Sequence, residues 1–359
     1  MRARRLARSR LTERAPREQL VEVVRELGGV HAQVQASAEL QLAARVQGIT
    51  QQDVRDALWR DHTLVKAWTL RGTLHLHPAA ELPLWFAARR AVSPESSSGL
   101  AEWTDPKGVL HPSVSAAEAK EIRAAVWEAL DGRALLREEL AAEVARRVGS
   151  RHAARVRSGF AFFTSDLCQG PPQGNKVALV RPDQWIETWR KVEEQDALRE
   201  VCRRYLGTYG PARPTDFRAW FGPASFDRLA LDEVDVEGRS AFVLAGDTDF
   251  QTPQSSVRLL PEYDVYVMGF REREFLVPDA VRKQVAAHGR GRYEGPAGVR
   301  FLLVDGMAAG LWERRKRGKR VELDVAPAKK LTRAQRNALD DEAERIGEFL
   351  GLEPVVTVE

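Results

Sequence analysis

What most restricts the fold of this chain is an order that repeats: three helical patterns, then a pair of short alternating strands. Over residues 17–27, Leu20, Val23, Val24 and Leu27 fall at i, i+3, i+4 and i+7, and Gly28-Gly29 ends the helix. A second helix is predicted from near Ser37. Thr50-x-x-Asp53 has the capping-box pattern for a third, with Val54, Ala57 and Leu58 on its buried face. Residues 64–70 and 73–77 then alternate around Arg71-Gly72, as two paired strands would. Three helices and a two-stranded sheet, in that order, make a winged helix. Pro78 suits the first turn of the helix that follows towards Val92.

The Ser/Pro-rich stretch 93–99 reads as a linker, after which the pattern recurs. Ser115-x-x-Glu118 caps a helix that stops at Asp131-Gly132. Leu136, Leu140, Val144 and Val148 are in register along a second helix starting at 135. A third, 151–167, carries Arg151, Arg155 and Arg157, and a turn at 170–175 precedes an apolar strand at 177–180. The third instance follows an amphipathic segment at 185–206. Pro214-Thr215-Asp216-Phe217 opens a helix ending at Gly222 and continued at 225–229, with strands at 240–245 and 257–260. Beyond that, 265–270, 275–277, 299–304, 307–312 and 321–325 read as short strands. Asp305-Gly306 reads as a hairpin turn and 331–350 as a closing helix capped at Thr332. The expected fold is α+β. Winged helix-turn-helix modules at 1–92, 100–184 and 185–260 are followed by a β-rich segment at 261–359, a small sheet or barrel.

A chain of 359 residues is too long for one small core. With 55 Lys and Arg against 51 Asp and Glu, its charge permits nucleic-acid binding without requiring it. The basic start has no apolar run behind it, and no stretch approaches the roughly 18 apolar residues of a spanning helix. A cytoplasmic, membrane-free protein is expected. Cys168 and Cys202 lie far apart, outside any C-x-x-C spacing, which argues against a disulfide framework or a cysteine zinc site. Neither a P-loop, a dinucleotide fingerprint, G-x-S-x-G nor H-E-x-x-H occurs.

The chemistry-bearing residues are of an unusual type. Gln33 and Gln35 sit in the link between two apolar helices, and an extended link would turn both amides the same way. Glutamine is no base at neutral pH, but it can hold water and offer a carbonyl dipole. Two of them suit a reaction whose leaving group is already activated; the plainer alternative is that they bond stray backbone groups. His75 and His77 share a strand face with no third metal ligand beside them, so no metal site is expected. Arg314, Arg315, Lys316, Arg317, Lys319 and Arg320 form the densest basic run. It sits at an expected hairpin tip, where it can follow phosphates. Arg151 and Arg155 have a similar claim as part of a recognition-type helix. Residues 260–266 bring Glu262 and Asp264 near Tyr263 and Tyr266, either as an acid–base pair or as a strand entry with Asp264 bonding local backbone.

His31–Ser37 (HAQVQAS), Ala67–Leu76 (AWTLRGTLHL), Gly170–Lys176 (GPPQGNK), Leu259–Asp264 (LLPEYD) and Val304–Trp312 (VDGMAAGLW) occur in that order. Together they resemble the AlkZ/YcaQ family of winged-helix DNA glycosylases over nearly the whole chain. The resemblance implies three tandem winged helices in a C-shaped arrangement around duplex DNA, with no cofactor, acting as a monomer. It also implies excision of bulky N-alkylated bases, with Gln33 and Gln35 matching the catalytic glutamine–apolar–glutamine motif. Gln35 stands where the YcaQ-like branch carries Asp, which places the chain with the self-resistance branches typified by azinomycin, hedamycin and trioxacarcin resistance enzymes. Site-flanking contacts to DNA are implied for His31, Arg71, Thr73 and His75, and the family's DNA-contacting hairpin for the basic run.

The implied substrate is a cationic N7-alkylguanine or N3-alkyladenine, whose base leaves neutral and needs no strong general acid. The competing class is a non-catalytic winged-helix protein, either a regulator or a sequestering protein for the genotoxin. Three unlike modules in one chain give no half-site symmetry, which counts against a regulator.

Overall fold

The computed structural model describes residues 1–92, 101–104, 108–149, 167–174, 176–248, 250, 255–270, 273, 275–287 and 298–359. The chain divides into two units, Met1–Asp56 with Arg199–Glu359, and Ala57–Leu198. This division falls inside the expected 1–92 module.

The first unit begins with α1 (Arg2–Arg8), α2 (Leu20–Glu26), β1 (Val30–His31) and α3 (Gln35–Ala43), and α4 (Gln51–Trp59) carries the chain into the second. α2 stops where Gly28 and Gly29 take φ of 68° and 101°, a conformation that ends helices and costs glycine least. The Thr50–Asp53 box forms as expected: Thr50 N donates to Asp53 Oδ2 at 2.7 Å and Asp53 N to Thr50 Oγ1 at 3.3 Å.

In the second unit, β2 (Leu64–Trp68) and β3 (Leu74–Pro78) pair antiparallel with Val65 opposite His77. Arg71 and Gly72 between them have φ of 51° and 71°. Then come α5 (Leu82–Val92), the pair β4 (Trp103–Thr104) and β5 (Leu110–His111), α6 (Ala116–Ala129), β6 (Leu135–Leu136), α7 (Arg137–Val148), β7 (Cys168–Gln173), β8 (Lys176–Val180) and α8 (Pro182–Trp185). Ser115 and Glu118 cap α6 reciprocally. The strands within this unit run β3-β2-β7-β8-β6. Ile122, Val126, Leu140, Val144 and Leu179 form its core with Trp68 and Leu74.

Two local expectations are corrected here. Leu135 and Leu136 do not open a helix; they pair with Leu179 and Ala178 of β8, and the helix begins at Arg137. The Gly170-Pro171-Pro172-Gln173 segment is strand rather than turn. A register shift between Gln169 and Pro172 accommodates two residues that have no N–H for the ladder. The linker at 93–99 and residues 151–166 of the expected arginine-bearing helix lie outside the described residues.

The chain returns to the first unit through α9 (Glu194–Tyr209). It continues with α10 (Pro214–Trp220), the hairpin β9 (Leu231–Val236) and β10 (Arg239–Leu244), β11 (Val257–Leu260), α11 (Val265–Met268), α12 (Asp279–Ala287), β12 (Phe301–Val304), β13 (Met307–Arg317), β14 (Arg320–Pro327), α13 (Arg333–Leu350) and β15 (Glu353–Val358). The five C-terminal strands make an open sheet, β11-β12-β13-β14-β15, not a barrel. β15, missed in the sequence, pairs parallel to β14 because α13 supplies the crossover. Residues 265–268 are helix, not strand; Asp264 Oδ1 accepts from Tyr266 N at 2.9 Å and caps the turn. Residues 275–277 are not strand either, and no helix continues at 225–229. Apolar runs this short carry no period that separates the two structures.

The VDGMAAGLW stretch is explained by backbone packing. Asp305 and Gly306 take φ of 49° and 78° in the β12–β13 turn. A Cβ on Gly306 would sit 3.0 Å from Leu6 Cδ1, and one on Gly310 would sit 2.4 Å from Ala326 O. Trp312 Nε1 donates to Leu260 O at 2.8 Å, joining β13 to the end of β11.

Candidate active site

Val34 is the N-cap of α3, extended at φ −109° and ψ 110° and without a side-chain cap. Gln35 is therefore the first helical residue, and the two glutamines straddle a helix start instead of sharing an extended link. Gln33 is exposed and Gln35 half-buried, with Val34 exposed between them. Gln35 Nε2 donates to Glu39 Oε1 at 3.4 Å, one turn further along the helix. Glu39 is wholly buried and also accepts from Gln51 Nε2 at 2.7 Å and Arg55 Nε at 3.0 Å. A carboxylate only accepts, so the amide must turn its NH₂ to Glu39 and its carbonyl oxygen to the opposite side.

Beneath this helix start the polar groups are satisfied by residues far away in sequence. Gln41 Nε2 donates to His31 O at 3.0 Å, and Gln41 Oε1 accepts from Val265 N at 3.2 Å. Ser37 Oγ donates to Glu262 O. Arg45 reaches Asp264 with two bonds of 2.8 and 2.6 Å, and both side chains are fully buried. The His31 ring, itself buried, lies 5.1 Å from that of Tyr263, which holds φ at 60°. Positive φ at a tyrosine stores strain that the surrounding bonds must hold. Of the two readings of residues 260–266, the local one holds for Asp264, a cap and a buried ion-pair partner.

Glu262 joins this floor to the basic hairpin. Arg300 donates to Glu262 Oε1 at 3.0 Å and to Glu313 Oε2 at 2.5 Å. Arg314 is half-buried beside them. Burial and the nearby Arg300 pull its guanidinium below the ordinary arginine value, against the opposing pull of Glu262, Glu39 and Glu313. The remaining basic residues are exposed along β13 and β14. Arg315 pairs with Asp324 at 3.9 Å, Arg317 with Glu322 at 3.4 Å and Arg320 with Glu353 at 2.9 Å. Lys316 and Lys319 have no ion-pair partner among the described residues.

The other expected contacts are in the second unit. Arg71 is exposed at the β2–β3 turn, and Thr73 is half-buried with Oγ1 donating to Leu70 O at 3.0 Å. His75 is buried, its Nδ1 3.0 Å from Thr73 O, and His77 is buried against Trp85 with rings 4.4 Å apart. Arg151 and Arg155 lie outside the described residues.

Sequence reasoning missed Glu39, Arg55 and Arg300. The i, i+4 spacing of Gln35 and Glu39 was a signal that could have found the first. The Arg300 network joins positions that only the fold brings together.

A helix opened by paired glutamines, over a floor built from LLPEYD and beside a basic hairpin, is accompanied by likenesses to known proteins in both sequence and fold. The AlkZ-like DNA glycosylase family matches residues 24–349. An interstrand DNA cross-link repair glycosylase from Streptomyces sahachiroi is 31% identical over 92% of this chain and 91% of its own. The solved structure of the Streptomyces sahachiroi DNA glycosylase AlkZ superposes with a TM-score of 0.80 at 27% identity, covering all of this chain and 98% of that one. The class is that of DNA glycosylases, enzymes that hydrolyse N-glycosyl bonds. Within it, the chain belongs to the AlkZ-like family.

Proposed function

We propose that this enzyme is a monofunctional glycosylase that removes bulky cationic purines, N7-alkylguanine or N3-alkyladenine, made in duplex DNA by a genotoxic natural product. In this reading it confers self-resistance, acts in the cytoplasm as a monomer, and grips DNA through tandem winged-helix modules. The cross-link repair glycosylase it resembles supports the choice of lesion. The observation that carries the chemistry is the Gln35–Glu39 bond.

Alkylation at N7 puts positive charge on the purine. When the C1′–N9 bond breaks, its electron pair neutralises that charge and the base leaves without a proton. One of Gln33 and Gln35 holds the water that attacks C1′; once the new C–O bond has formed, the resulting oxonium passes its extra proton to bulk water, so no protein base is needed. Both carbonyl dipoles face the cationic sugar. Donation of the Gln35 amide into a buried carboxylate draws negative charge onto its carbonyl oxygen, where an oxocarbenium-like sugar is best stabilised. The exposed basic residues of the β13–β14 hairpin contact phosphates, exchanging weak surface ion pairs for them.

The test is base release from duplex DNA carrying 7-methylguanine, then a bulky N7-guanine adduct, by wild type and Gln33→Ala/Gln35→Ala. Abasic DNA from wild type alone is expected, with uracil and 8-oxoguanine spared. Release by the double variant at the wild-type rate would remove the glutamines from the chemistry. DNA binding without release of either base would favour the non-catalytic reading.

A further inference from the structure

A cavity of about 350 Å³ in the first unit is walled by α1, the start of α10 and the β9–β10 hairpin, with Phe270 and Phe275. Its lining includes Arg5, Arg213, Asp216 and Arg239, none of which belongs to the glutamine site. Arg5 is only 5% exposed, and its guanidinium carbon lies 3.7 Å from the centre of the Phe270 ring and 4.7 Å from that of Phe275. Nη2 donates to Pro211 O at 3.2 Å, but Nε and Nη1 have no acceptor among the described residues. Two acids share the wall: Asp216, engaged by Arg213, which donates to its two oxygens at 3.0 and 3.1 Å, and Glu237 on the β9–β10 turn, which is exposed.

A buried cation with several N–H groups lacking acceptors is costly, and aromatic faces answer its charge but not its in-plane donors. Burial pulls the Arg5 guanidinium down to about 10, still charged at neutral pH. What would complete this arrangement is an anion with several acceptor oxygens, and Arg239 in the same wall gives it a second basic contact, Arg213 being committed to Asp216. Because the guanidinium is recessed, a small molecule reaches it more readily than a duplex backbone, and the volume is at the lower end of small-ligand pockets. We propose that this cavity is a binding site for the phosphoryl group of a small, mononucleotide-sized ligand, with Arg5 as its anchor.

Thermal unfolding and titration calorimetry of the full chain with AMP, and with inorganic phosphate at matched ionic strength, test this. Saturable stabilisation by AMP is expected in wild type. It should be lost in Arg5→Met and weakened about tenfold in Arg239→Ala, as expected for one lost charge-assisted contact. Without anion, Arg5→Met should melt at or above the wild-type temperature, since it removes an unsatisfied buried charge. Should Arg5→Met fail to fold, the exposed Arg239→Ala decides alone. No saturable response of wild type to AMP or phosphate, or an unchanged response in Arg239→Ala, overturns the proposal. So does an Arg5→Met protein that melts lower yet binds AMP normally, which makes Arg5 purely structural. An Arg5-dependent preference for duplex bearing a 5′-phosphate over a 5′-hydroxyl, without any response to AMP, gives the site to a DNA end and overturns the small-ligand assignment.

Discussion

Gln35 and Glu39 lie one helical turn apart on α3, and the 3.4 Å bond between them ties an amide at the helix start to a carboxylate with no solvent exposure. Glu39 is in turn held by Gln51 and Arg55 of α4. In this way a helix–helix packing contact sets the direction of a side chain at the proposed catalytic position. Replacing either glutamine by alanine should slow excision by about 10²-fold, the usual loss when one preorganised dipole is removed. Single-turnover base release measures it, and near-normal turnover by both variants would sink the assignment.

Glu39 is a positioning residue, and its removal should read differently. Glu39→Ala should lower the single-turnover rate by about tenfold while DNA affinity stays unchanged, and Glu39→Gln, which keeps an acceptor for the Gln35 amide, should recover much of that loss. A purely structural role would instead lower the melting temperature in both variants and leave the rate of the folded fraction intact.

The Arg45–Asp264 pair anchors the floor of the site. Arg45→Met leaves the Asp264 carboxylate buried without its partner, so a loss of about 3–5 kcal/mol in urea denaturation is expected. Asp264→Asn/Arg45→Met should lose less than the sum of the two single changes.

Glu342 on α13 carries a pH dependence. Burial would raise its carboxyl, but Arg345, Arg14 and Arg258 outweigh that and hold it below the ordinary carboxylate value. A group depressed in the folded state binds protons more readily when unfolded. Its stabilising contribution is therefore complete above the unfolded carboxylate pKa, and is lost as pH falls through the lower folded value. Denaturation midpoints followed downward from neutral pH should show less acid dependence in Glu342→Gln than in wild type. Identical acid limbs would exclude Glu342 as a contributor.

Lys316 and Lys319 sit at the exposed end of the β13–β14 hairpin. If each meets a phosphate, Lys316→Ala and Lys319→Ala should each reduce the slope of log affinity against log salt by about 1, with no change in lesion preference. Unchanged slopes would move the DNA contact away from this hairpin.

Local chemistry was legible in the residues themselves. The capping boxes at Thr50, Ser115 and Thr332, the Asp305-Gly306 turn and the β2–β3 pair depend on contacts a few residues apart, so near neighbours determine them. The glutamine pair was equally visible, because its chemistry lies in the residue type. Short apolar segments were not. Residues 265–268 form a helix and 135–136 a strand because Asp264 caps one and β8 pairs the other. What only the tertiary structure decided is the direction of the Gln35 amide, the inward place of Arg314 and the grouping of Arg300 with Glu262 and Glu313. Those depend on α4, β11 and β13 coming together. Burial in that assembly makes each buried polar group find its partner wherever the fold supplies one, a requirement that no local pattern encodes.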